Sequence, residues 1–215
     1  MSLTIHAFPL SPRNFKVLVV ANQLGLEYEF RFCDFAKGMQ KSAEYTGVNP
    51  NQKAPAIEDG DFKLWESNAI IQYLASKKPE IGLLPKDERA RADVNRWLFW
   101  ESTTWDPACA TIVFERVVKA LFGPGGPDAA EVEKGLKKFT ACAAILDAHL
   151  KGRAFMCGEA LTIADLSLAS ALTMATPAQL PLADYPNIQA WAARIMELQA
   201  WKKTLVMQAA PAAAA

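Results

Sequence analysis

The segment Ser11-Pro12-Arg13-Asn14 has the spacing of a Cys-Pro-x-Cys redox motif in which both sulfurs are replaced. It lies between a strand-like opening and a helix-like run, so Ser11 stands just before a helix N-terminus. Thiol–disulfide exchange through a cysteine of the protein itself is therefore excluded at this position. What remains is a hydroxyl and the positive end of a helix dipole, which together favour a bound anion such as a thiolate.

Other groups suited to catalysis are scarce. The two histidines are His6, in the predicted first strand, and His149, far along the chain, so no Ser-His-Asp arrangement is available to Ser11. The four cysteines are scattered without a Cys-x-x-Cys pair, which argues against a zinc site and against a disulfide framework. We predict no metal cofactor and expect free, buried thiols at Cys33, Cys109, Cys142 and Cys157.

The composition narrows the class of protein. The chain has 215 residues, of which 51% are hydrophobic, and its formal net charge is zero. The lack of a basic excess argues against nucleic-acid binding. No apolar run approaches the roughly 20 residues that a membrane-spanning helix needs, and the first residues lack the features of a signal peptide. We therefore expect a cytoplasmic protein that binds neither nucleic acid nor membrane.

The first part of the chain alternates strand and helix patterns. Residues 3–8 predict a strand, a helical face then ends at Gly25 as at a C-cap, and residues 28–32 predict a half-buried strand. This strand–helix–strand unit predicts a parallel pair with a right-handed crossover. Further on, Asp59-Gly60-Asp61 indicates a hairpin, and a helix begins at Ser67. The order predicts a mixed sheet with helices packed on it.

The second part of the chain reads as helical throughout. Residues 79–88 contain glycine and proline and predict a linker. We expect a first helix to end near Asp106-Pro107 and a later one to break at residues 123–127. Apolar residues then recur at helical spacings over residues 132–150, which predicts an amphipathic helix.

Thr162 and Asp165 form the clearest local signature of the helical part. Thr162 can cap a helix, and Asp165 lies three residues later, where its side chain can reach back to the Thr162 amide as in a capping box. We interpret Asp165 as a structural cap and not as a catalytic carboxylate.

Four features, in this order, resemble the cytosolic glutathione transferase family over essentially the whole chain. They are Ser11 before the first helix, Gln52-Lys53-Ala54-Pro55, Glu66-Ser67-Asn68-Ala69-Ile70 and Thr162-Ile163-Ala164-Asp165. The resemblance is to bacterial, Ser-type members with phi-, theta- or nu-like features. It implies an α+β, thioredoxin-like, glutathione-binding N-terminal domain (βαβ-ββα) over residues 1–78, the linker over residues 79–88, and an all-α C-terminal domain over residues 89–208. A disordered Ala-rich tail over residues 209–215 and a homodimer are also expected.

The resemblance implies that glutathione is the co-substrate and that Ser11 is the catalytic residue. A free thiol has a pKa near 8.5, so the hydroxyl and the helix start must supply about 2 to 3 kcal/mol to lower that pKa by about two units. Ser11 would then activate the bound thiolate, which attacks a small hydrophobic electrophile. The implied reaction is the transfer of alkyl or aryl groups to glutathione.

The resemblance also implies which residues hold glutathione. Pro55 is expected to be cis, with the backbone of Ala54 pairing with the cysteinyl part of the ligand. Glu66 and Ser67 stand at a helix start and are expected to bind the γ-glutamyl group. The alternative for these two is a plain helix cap with a solvated Glu66.

The glycine carboxylate of glutathione and the electrophile are expected to bind at different places. Gln40, Lys41 and Lys53 are expected near the glycine carboxylate, with a solvated Lys41 as the alternative. An apolar pocket for the electrophile is expected against the helical domain. Its candidate residues, for which core or dimer contacts are the alternative, are Trp100, Thr104, Cys109, Ile112 and Phe114.

Arg13 separates the chain from one bacterial subgroup that this stretch resembles. In that subgroup a hydroxyl residue, Pro and then Asn precede a Lys-Val pair, and the activity is glutathione-dependent disulfide reduction. This chain keeps Ser11, Pro12 and Lys16-Val17 but has Arg13 in place of that Asn. Glutathione-dependent disulfide or peroxide reduction therefore stays an alternative, as does a non-catalytic, glutathione-transferase-like binding protein. Both roles of Arg13, supporting the thiolate or pointing to solvent, also stay open.

Overall fold

Four strands form one sheet in the order β2-β1-β3-β4 within a computed structural model that describes residues 3–123 and 125–209. The strands are β1 (Leu3–Ala7), β2 (Glu29–Phe32), β3 (Ala56–Asp59) and β4 (Phe62–Trp65). β1 pairs in parallel with β2 and antiparallel with β3, and β3 and β4 are antiparallel. The predicted parallel pair and the hairpin are both confirmed, and Gly60 takes a positive φ of 67° in the hairpin turn.

Contacts divide the described chain into two units. One contains the chain up to Leu84 together with the segment from Met196 onward, and the other runs from Pro85 to Ile195. The helices of the first unit are α1 (Pro12–Gln23), α2 (Ala43–Thr46), α3 (Ser67–Ser76) and, at the end of the chain, α10 (Gln199–Ala209). The thioredoxin-like sheet with its helices, followed by helices alone, confirms the predicted fold class.

Helix α1 is buried on nearly all sides. It packs against α3 and α10, and the rings of Phe15 and Trp201 lie 4.7 Å apart between their centroids. The helix ends at Gln23, and Gly25 follows with a φ of 61°, as the sequence predicts. The sequence assigned residues 89–208 to one helical domain, whereas the structure packs the last of these helices on α1.

In the second unit, every helix or strand of the described residues is a helix. One continuous helix combines α4 (Glu88–Trp100), α5 (Asp106–Val113) and α6 (Lys119–Phe122), joined by π-helical turns at Glu101–Trp105 and Phe114–Val118. It is followed by α7 (Ala129–Leu150), α8 (Ile163–Ser170) and α9 (Pro186–Met196). The predicted amphipathic helix over residues 132–150 lies within α7 and is confirmed.

The expected helix end near Asp106-Pro107 is wrong. Trp105, the last residue of the π-helical turn, and Asp106, the first residue of α5, both have helical backbone angles. A proline inside an α-helix lacks a donor and crowds the preceding turn. The π-helical turn that ends at Trp105 widens the helix just ahead of Pro107, which relieves both problems and lets the helix continue.

Two candidates for the electrophile pocket belong to the core of the second unit. Cys109 and Ile112 are 2% and 0% exposed. A Cβ atom on Gly135 of α7 would lie 2.8 Å from Ile112 Cγ1, so this glycine permits the close approach of α5 and α7. Of the two alternatives for Cys109 and Ile112, the structure therefore favours a core position. Of the other candidates, Phe114 is exposed and Trp100 is half-buried, as is Thr104.

Asp165 closes the N-terminus of α8. Its Oδ2 accepts the Thr162 N–H at 2.9 Å and the Thr162 hydroxyl at 3.0 Å, which confirms the capping box. Its Oδ1 accepts the Met156 N–H at 2.7 Å and the Trp191 Nε1–H at 2.9 Å. Burial raises the pKa of the Asp165 carboxyl, and these hydrogen bonds oppose that rise. The side chain thus joins α8, α9 and the preceding loop.

Some predictions fall on positions that the structure does not describe. The expected break at residues 123–127 includes residue 124, and the expected tail over residues 209–215 includes residues 210–215. Among the described residues, no helix combines the length and the apolar character that crossing a membrane requires.

Candidate active site

Three segments meet at one end of the sheet. Ala56 pairs with Trp65 across the β3–β4 hairpin, so the residues before β3 and those after β4 lie side by side. His6 of β1 also pairs with Ala56, which brings the segment after β1 to the same end. The segments Phe8–Ser11, Ala54–Pro55 and Glu66–Ser67 are therefore neighbours, because strand pairing fixes where each strand begins and ends.

Ser11 is the N-cap residue of α1 but its side chain makes no capping hydrogen bond. The Ser11 carbonyl accepts the N–H groups of Asn14 and Phe15 at 2.9 and 2.8 Å, and its own N–H donates to the Phe8 carbonyl at 2.9 Å. The backbone of Ser11 is extended, with φ −77° and ψ 126°, and Pro12 occupies the first helical position. The backbone is thus fixed, while the half-buried hydroxyl stays available for a ligand.

The loop Lys53–Pro55 is held from behind by side chains. The Lys53 carbonyl accepts the Tyr45 hydroxyl at 2.7 Å and the Asn49 Nδ2–H at 2.6 Å. Burial raises the pKa of Tyr45, so its hydroxyl stays protonated and serves as a donor. The Ala54–Pro55 peptide bond is cis, as the family resemblance implies. The loop therefore presents the backbone of Ala54 in a fixed orientation.

Asn14 links this loop to the start of α1. Its side chain is 1% exposed; Oδ1 accepts the Phe8 N–H at 3.0 Å and Nδ2 donates to the Ala54 carbonyl at 3.1 Å. Two residues further along α1, the buried Lys16 Nζ donates to Asn68 Oδ1 on α3 at 3.1 Å. The first turns of α1 thus hold both of the other segments of the site.

Glu66 has an unusual backbone conformation at the start of α3. Its φ of 72° and ψ of 110° lie where only glycine is comfortable, and its side chain makes no capping hydrogen bond. Its carbonyl still accepts the Ile70 N–H at 2.9 Å, so the helix begins normally behind it. The exposed Glu66 side chain and the half-buried Ser67 therefore stand at an uncapped helix N-terminus, which suits an anion.

The three residues expected at the glycine carboxylate lie in the loop region before β3. Gln40 and Lys41 form part of a 3₁₀ turn, Met39–Lys41, and Lys53 precedes Ala54. Gln40 Oε1 is buried without a hydrogen-bond partner among the described residues. Because that atom is an acceptor, a carboxylate would have to be bound by the Gln40 amide nitrogen. Lys41 and Lys53 are exposed.

Cys33 lies beneath the Lys53–Pro55 loop and is no substitute for the missing motif sulfurs. It packs in a cluster with Tyr45, Val48 and Ala56, against which Ala54 also packs. Burial raises the pKa of the Cys33 thiol to about 11, so it is protonated and unreactive at neutral pH. Across residues 3–123 and 125–209, no three side chains of His, Cys, Asp or Glu are grouped so that they could hold a metal ion.

The residues that support the site are not predicted by the sequence. Asn14 and Lys16 stand out there only as motif positions, and no pattern predicts a role for Tyr45 or Asn49. One signal was present: Asn14 and Lys16 stand beside Phe15 and residues 17–21, which make the central turns of the helix apolar on all sides. A helix of that kind is buried, and polar side chains buried within it need partners.

Comparisons with known proteins agree along the chain. A family model described as glutathione S-transferase, N-terminal domain, matches residues 1–76, and one for the C-terminal domain matches residues 105–199. Glutathione S-transferase 3 of Zea mays is 36% identical over 208 residues, covering 94% of this chain and 93% of that protein. A probable glutathione S-transferase, GSTF2, of Oryza sativa subsp. japonica is 32% identical and covers 98% of this chain and 99% of its own.

Solved structures give the same answer. Glutathione S-transferase-I bound with lactoylglutathione superposes with a TM-score of 0.87 at 27% identity, covering 95% of this chain and 98% of that one. The glutathione transferase URE2P6 from Phanerochaete chrysosporium, in complex with oxidized glutathione, gives a TM-score of 0.86 at 27% identity, with coverages of 97% and 96%. The chain therefore belongs to the glutathione S-transferase family of enzymes, in both its sheet-containing and its helical parts.

Proposed function

We propose that the protein binds glutathione as a thiolate through Ser11 and transfers a small hydrophobic alkyl or aryl group from an electrophile to its sulfur. The observation that carries this proposal is the Ser11 hydroxyl, which stands at the start of α1 without a capping hydrogen bond. Such a hydroxyl can donate to the sulfur, and the helix N-terminus adds partial positive charge.

The reaction needs no other group to change its covalent state. The thiol proton leaves to solvent, and the thiolate forms a bond to the electrophilic carbon. The bond from that carbon to the leaving group breaks, and the leaving group takes the electron pair. Ser11 donates to the sulfur and is unchanged at the end. It is an activator of the nucleophile and is not itself the nucleophile.

The remaining residues hold the ligand in line with Ser11. In this proposal the Ala54 backbone pairs with the cysteinyl part, Ser67 donates to the γ-glutamyl carboxylate, and Glu66 accepts from the γ-glutamyl ammonium group. The uncapped start of α3 supports this assignment. The glycine carboxylate is assigned to the Gln40 amide nitrogen together with the exposed ammonium groups of Lys41 and Lys53.

The test compares Ser11→Ala with Ser42→Ala. Ser42 Oγ accepts the Tyr45 N–H at 3.1 Å as the cap of α2, so it is a serine that is already committed to the fold. We expect Ser11→Ala to raise the pKa of bound glutathione toward about 8.5 and to lower kcat by about 100-fold, with little change in stability. Ser42→Ala should lower stability by about 1 kcal/mol and leave the pKa of the bound thiol unchanged. An unchanged thiolate absorbance profile against pH in Ser11→Ala, at saturating glutathione, would contradict the proposal.

A second candidate function is glutathione-dependent reduction of disulfides or peroxides. It is favoured by the structural relative that was solved in complex with oxidized glutathione and by the Lys16-Val17 pair that follows the Ser11 segment. It predicts that turnover of mixed disulfides or hydroperoxides exceeds that of aryl halides. A non-catalytic binding protein would instead be retained on immobilised glutathione and show no turnover with any of these substrates.

A homodimer is part of the proposal. Its support is the outer strand of the sheet, β4, which carries the large apolar side chains Phe62 and Trp65 at 43% and 38% exposure. Exposed apolar side chains on an edge strand are typical of a surface that is covered by another chain.

A further inference from the structure

We infer that Asn14 is a positioning residue that sets the distance between the Ser11 hydroxyl and the loop Lys53–Pro55, and so controls how strongly the bound thiol is ionised. The inference rests on the proposed role of Ser11. It assigns a task to Asn14, the last residue of the segment Ser11-Pro12-Arg13-Asn14.

The two polar atoms of the Asn14 amide bind two different segments. Oδ1 accepts the N–H of Phe8 at 3.0 Å, and Nδ2 donates to the carbonyl of Ala54 at 3.1 Å, across 40 positions in sequence. An amide group is planar and rigid, so the two partners are held at a fixed separation. The side chain is 1% exposed, and a buried amide of this kind is costly unless it is paired.

The connection reaches Ser11 through Phe8. The Phe8 N–H is bound by Asn14, and the Phe8 carbonyl is bound by the Ser11 N–H at 2.9 Å. The turn that delivers the hydroxyl is therefore fixed at both of its ends. On the other side, the Ala54 carbonyl has two lone pairs, so it can accept from Asn14 and still pair with a ligand.

A thiolate bound in this site would be placed by Ala54 and ionised by Ser11. The strength of a hydroxyl–thiolate hydrogen bond depends steeply on distance and angle. If the two segments drift apart, glutathione still binds through the other contacts, but its sulfur no longer meets the hydroxyl in line. A misplacement of about 1 Å can lower a rate by about 100-fold.

Asn22 offers a matched control on the same helix. Its Nδ2 donates to Thr204 Oγ1 at 2.9 Å, and its Oδ1 accepts the Tyr28 hydroxyl at 3.2 Å. It is half-buried and joins α1 to α10 and to the residue before β2. Its replacement removes a comparable pair of hydrogen bonds without touching the segments of the site.

The experiment measures two quantities in wild type, Asn14→Ala, Asn22→Ala, Ser11→Ala and the double variant Ser11→Ala/Asn14→Ala. These are the pKa of bound glutathione, from thiolate absorbance at saturating ligand, and the kcat for an aryl halide. For Asn14→Ala we expect the pKa of the bound thiol to rise by about one unit and kcat to fall by about 10- to 100-fold. Asn22→Ala should leave both at wild-type values.

The double variant tests whether Asn14 acts through Ser11. In the Ser11→Ala background, Asn14→Ala should raise the thiol pKa no further, because the hydroxyl that it positions is absent. Asn14→Asp is the second variant if Asn14→Ala does not fold. It keeps the acceptor for Phe8 and replaces the donor to Ala54 with an oxygen, and kcat should again fall by about 10-fold or more.

The outcomes separate this inference from the proposed function. If Ser11→Ala raises the thiol pKa while Asn14→Ala and Asn14→Asp leave pKa and kcat as in Asn22→Ala, the positioning role is overturned and the proposed function stands. A further rise of the pKa in the double variant also overturns it. If Ser11→Ala itself leaves the thiol pKa unchanged, both proposals fall together.

Discussion

The helix starts in the two units use similar residue types in opposite ways. Helix α8 begins with Thr162 and Asp165, whose side chains are buried and bound to one another and to the neighbouring backbone. Helices α1 and α3 begin with Ser11 and Glu66, whose side chains make no capping hydrogen bond. The residue types at all three starts are good caps or good acceptors.

The difference lies in whether the side chain at the helix start already has hydrogen-bond partners within the protein. The Asp165 carboxylate is 0% exposed and satisfied by protein donors, so nothing is left for a ligand. Asn14 binds the segment before α1 and Lys16 binds Asn68 in the first turn of α3, while Ser11 and Glu66 make no capping hydrogen bond. A capping residue type therefore points to a ligand site only where a different residue does the structural work.

The largest expected effect is a loss of stability when Asp165, at the start of α8, is replaced. Asp165→Ala would leave donors of Thr162, Met156 and Trp191 buried without an acceptor. We expect the free energy of unfolding to fall by about 4 kcal/mol, because each buried unpaired donor costs about 1 to 3 kcal/mol. Denaturant unfolding followed by circular dichroism measures it. In the folded fraction, the pKa of bound glutathione should be that of wild type.

Two milder variants remove only some of the hydrogen bonds of Asp165. Asp165→Asn keeps the acceptor for Met156 and Trp191 but turns an amide nitrogen toward Thr162, so it should cause roughly half of the loss. Trp191→Phe removes a single donor and should lower the free energy of unfolding by about 1 kcal/mol. Equal losses in all three variants would show that Asp165 does not act through these hydrogen bonds, and the contrast with α1 and α3 would then fail.

A smaller effect, a gain in stability, is expected at the start of α3, where Glu66 makes no capping hydrogen bond. Glu66 holds a φ of 72°, which costs a residue other than glycine about 1 to 3 kcal/mol. Glu66→Gly should therefore raise the free energy of unfolding by about 1 kcal/mol, after the greater entropy of glycine in the unfolded chain is counted. The same variant should weaken glutathione binding by about 10-fold through loss of the carboxylate. Unfolding curves and the KM for glutathione measure the two changes.

Glu66→Gln is the control that separates backbone from charge. It keeps the strained backbone and removes only the charge, so the KM for glutathione should rise while stability stays at the wild-type value. A loss of stability in Glu66→Gly would mean that the backbone at this position is not strained. An unchanged KM in both variants would leave α3 as an open helix start without a ligand.

The sequence was sufficient for the elements whose signals are local. The hairpin at Asp59-Gly60-Asp61 follows from turn chemistry, the end of α1 from Gly25, and the cap of α8 from the spacing of Thr162 and Asp165. Each of these depends on residues within about four positions of one another, where backbone geometry leaves few choices. The meeting of the three segments of the site was implied by the family resemblance, and the observed strand pairing brings them to one end of the sheet.

What the sequence could not supply depends on partners far apart in the chain. The Asn14–Ala54 and Lys16–Asn68 hydrogen bonds join positions 40 and 52 apart, and only the folded sheet brings them together. The continuation of the helix through Pro107 was missed because a π-helical turn, which has no simple local signature, absorbs the proline. For Cys109 and Ile112 the sequence left pocket lining and core contact open, because helical spacing does not say which apolar face meets a neighbouring helix.

The smallest expected effect concerns a carboxylate that also has protein partners but is less buried than Asp165. Asp59, at the end of β3, accepts the Tyr73 hydroxyl at 2.7 Å and an ammonium proton of Lys77, just beyond the end of α3. The Lys77 hydrogen bond, followed by that of Tyr73, holds the pKa of Asp59 below its ordinary value. Its stabilising contribution is therefore present at neutral pH and is lost as the pH falls from about 4 through the lower pKa of the folded state.

The size of that contribution should be below about 1 kcal/mol, because the partly exposed ammonium group of Lys77 lets solvent screen the ion pair. Asp59→Asn should remove this acid-dependent part of the free energy of unfolding and leave activity unchanged. Asp61→Asn, in the exposed turn of the same hairpin, should keep the wild-type pH dependence. Unfolding curves at pH values between about 3 and 7 decide the matter. If Asp59→Asn lowers the free energy of unfolding at neutral pH as much as Asp165→Ala does, burial does not explain the large contribution of Asp165. The difference between the start of α8 and the starts of α1 and α3 would then rest only on ligand binding.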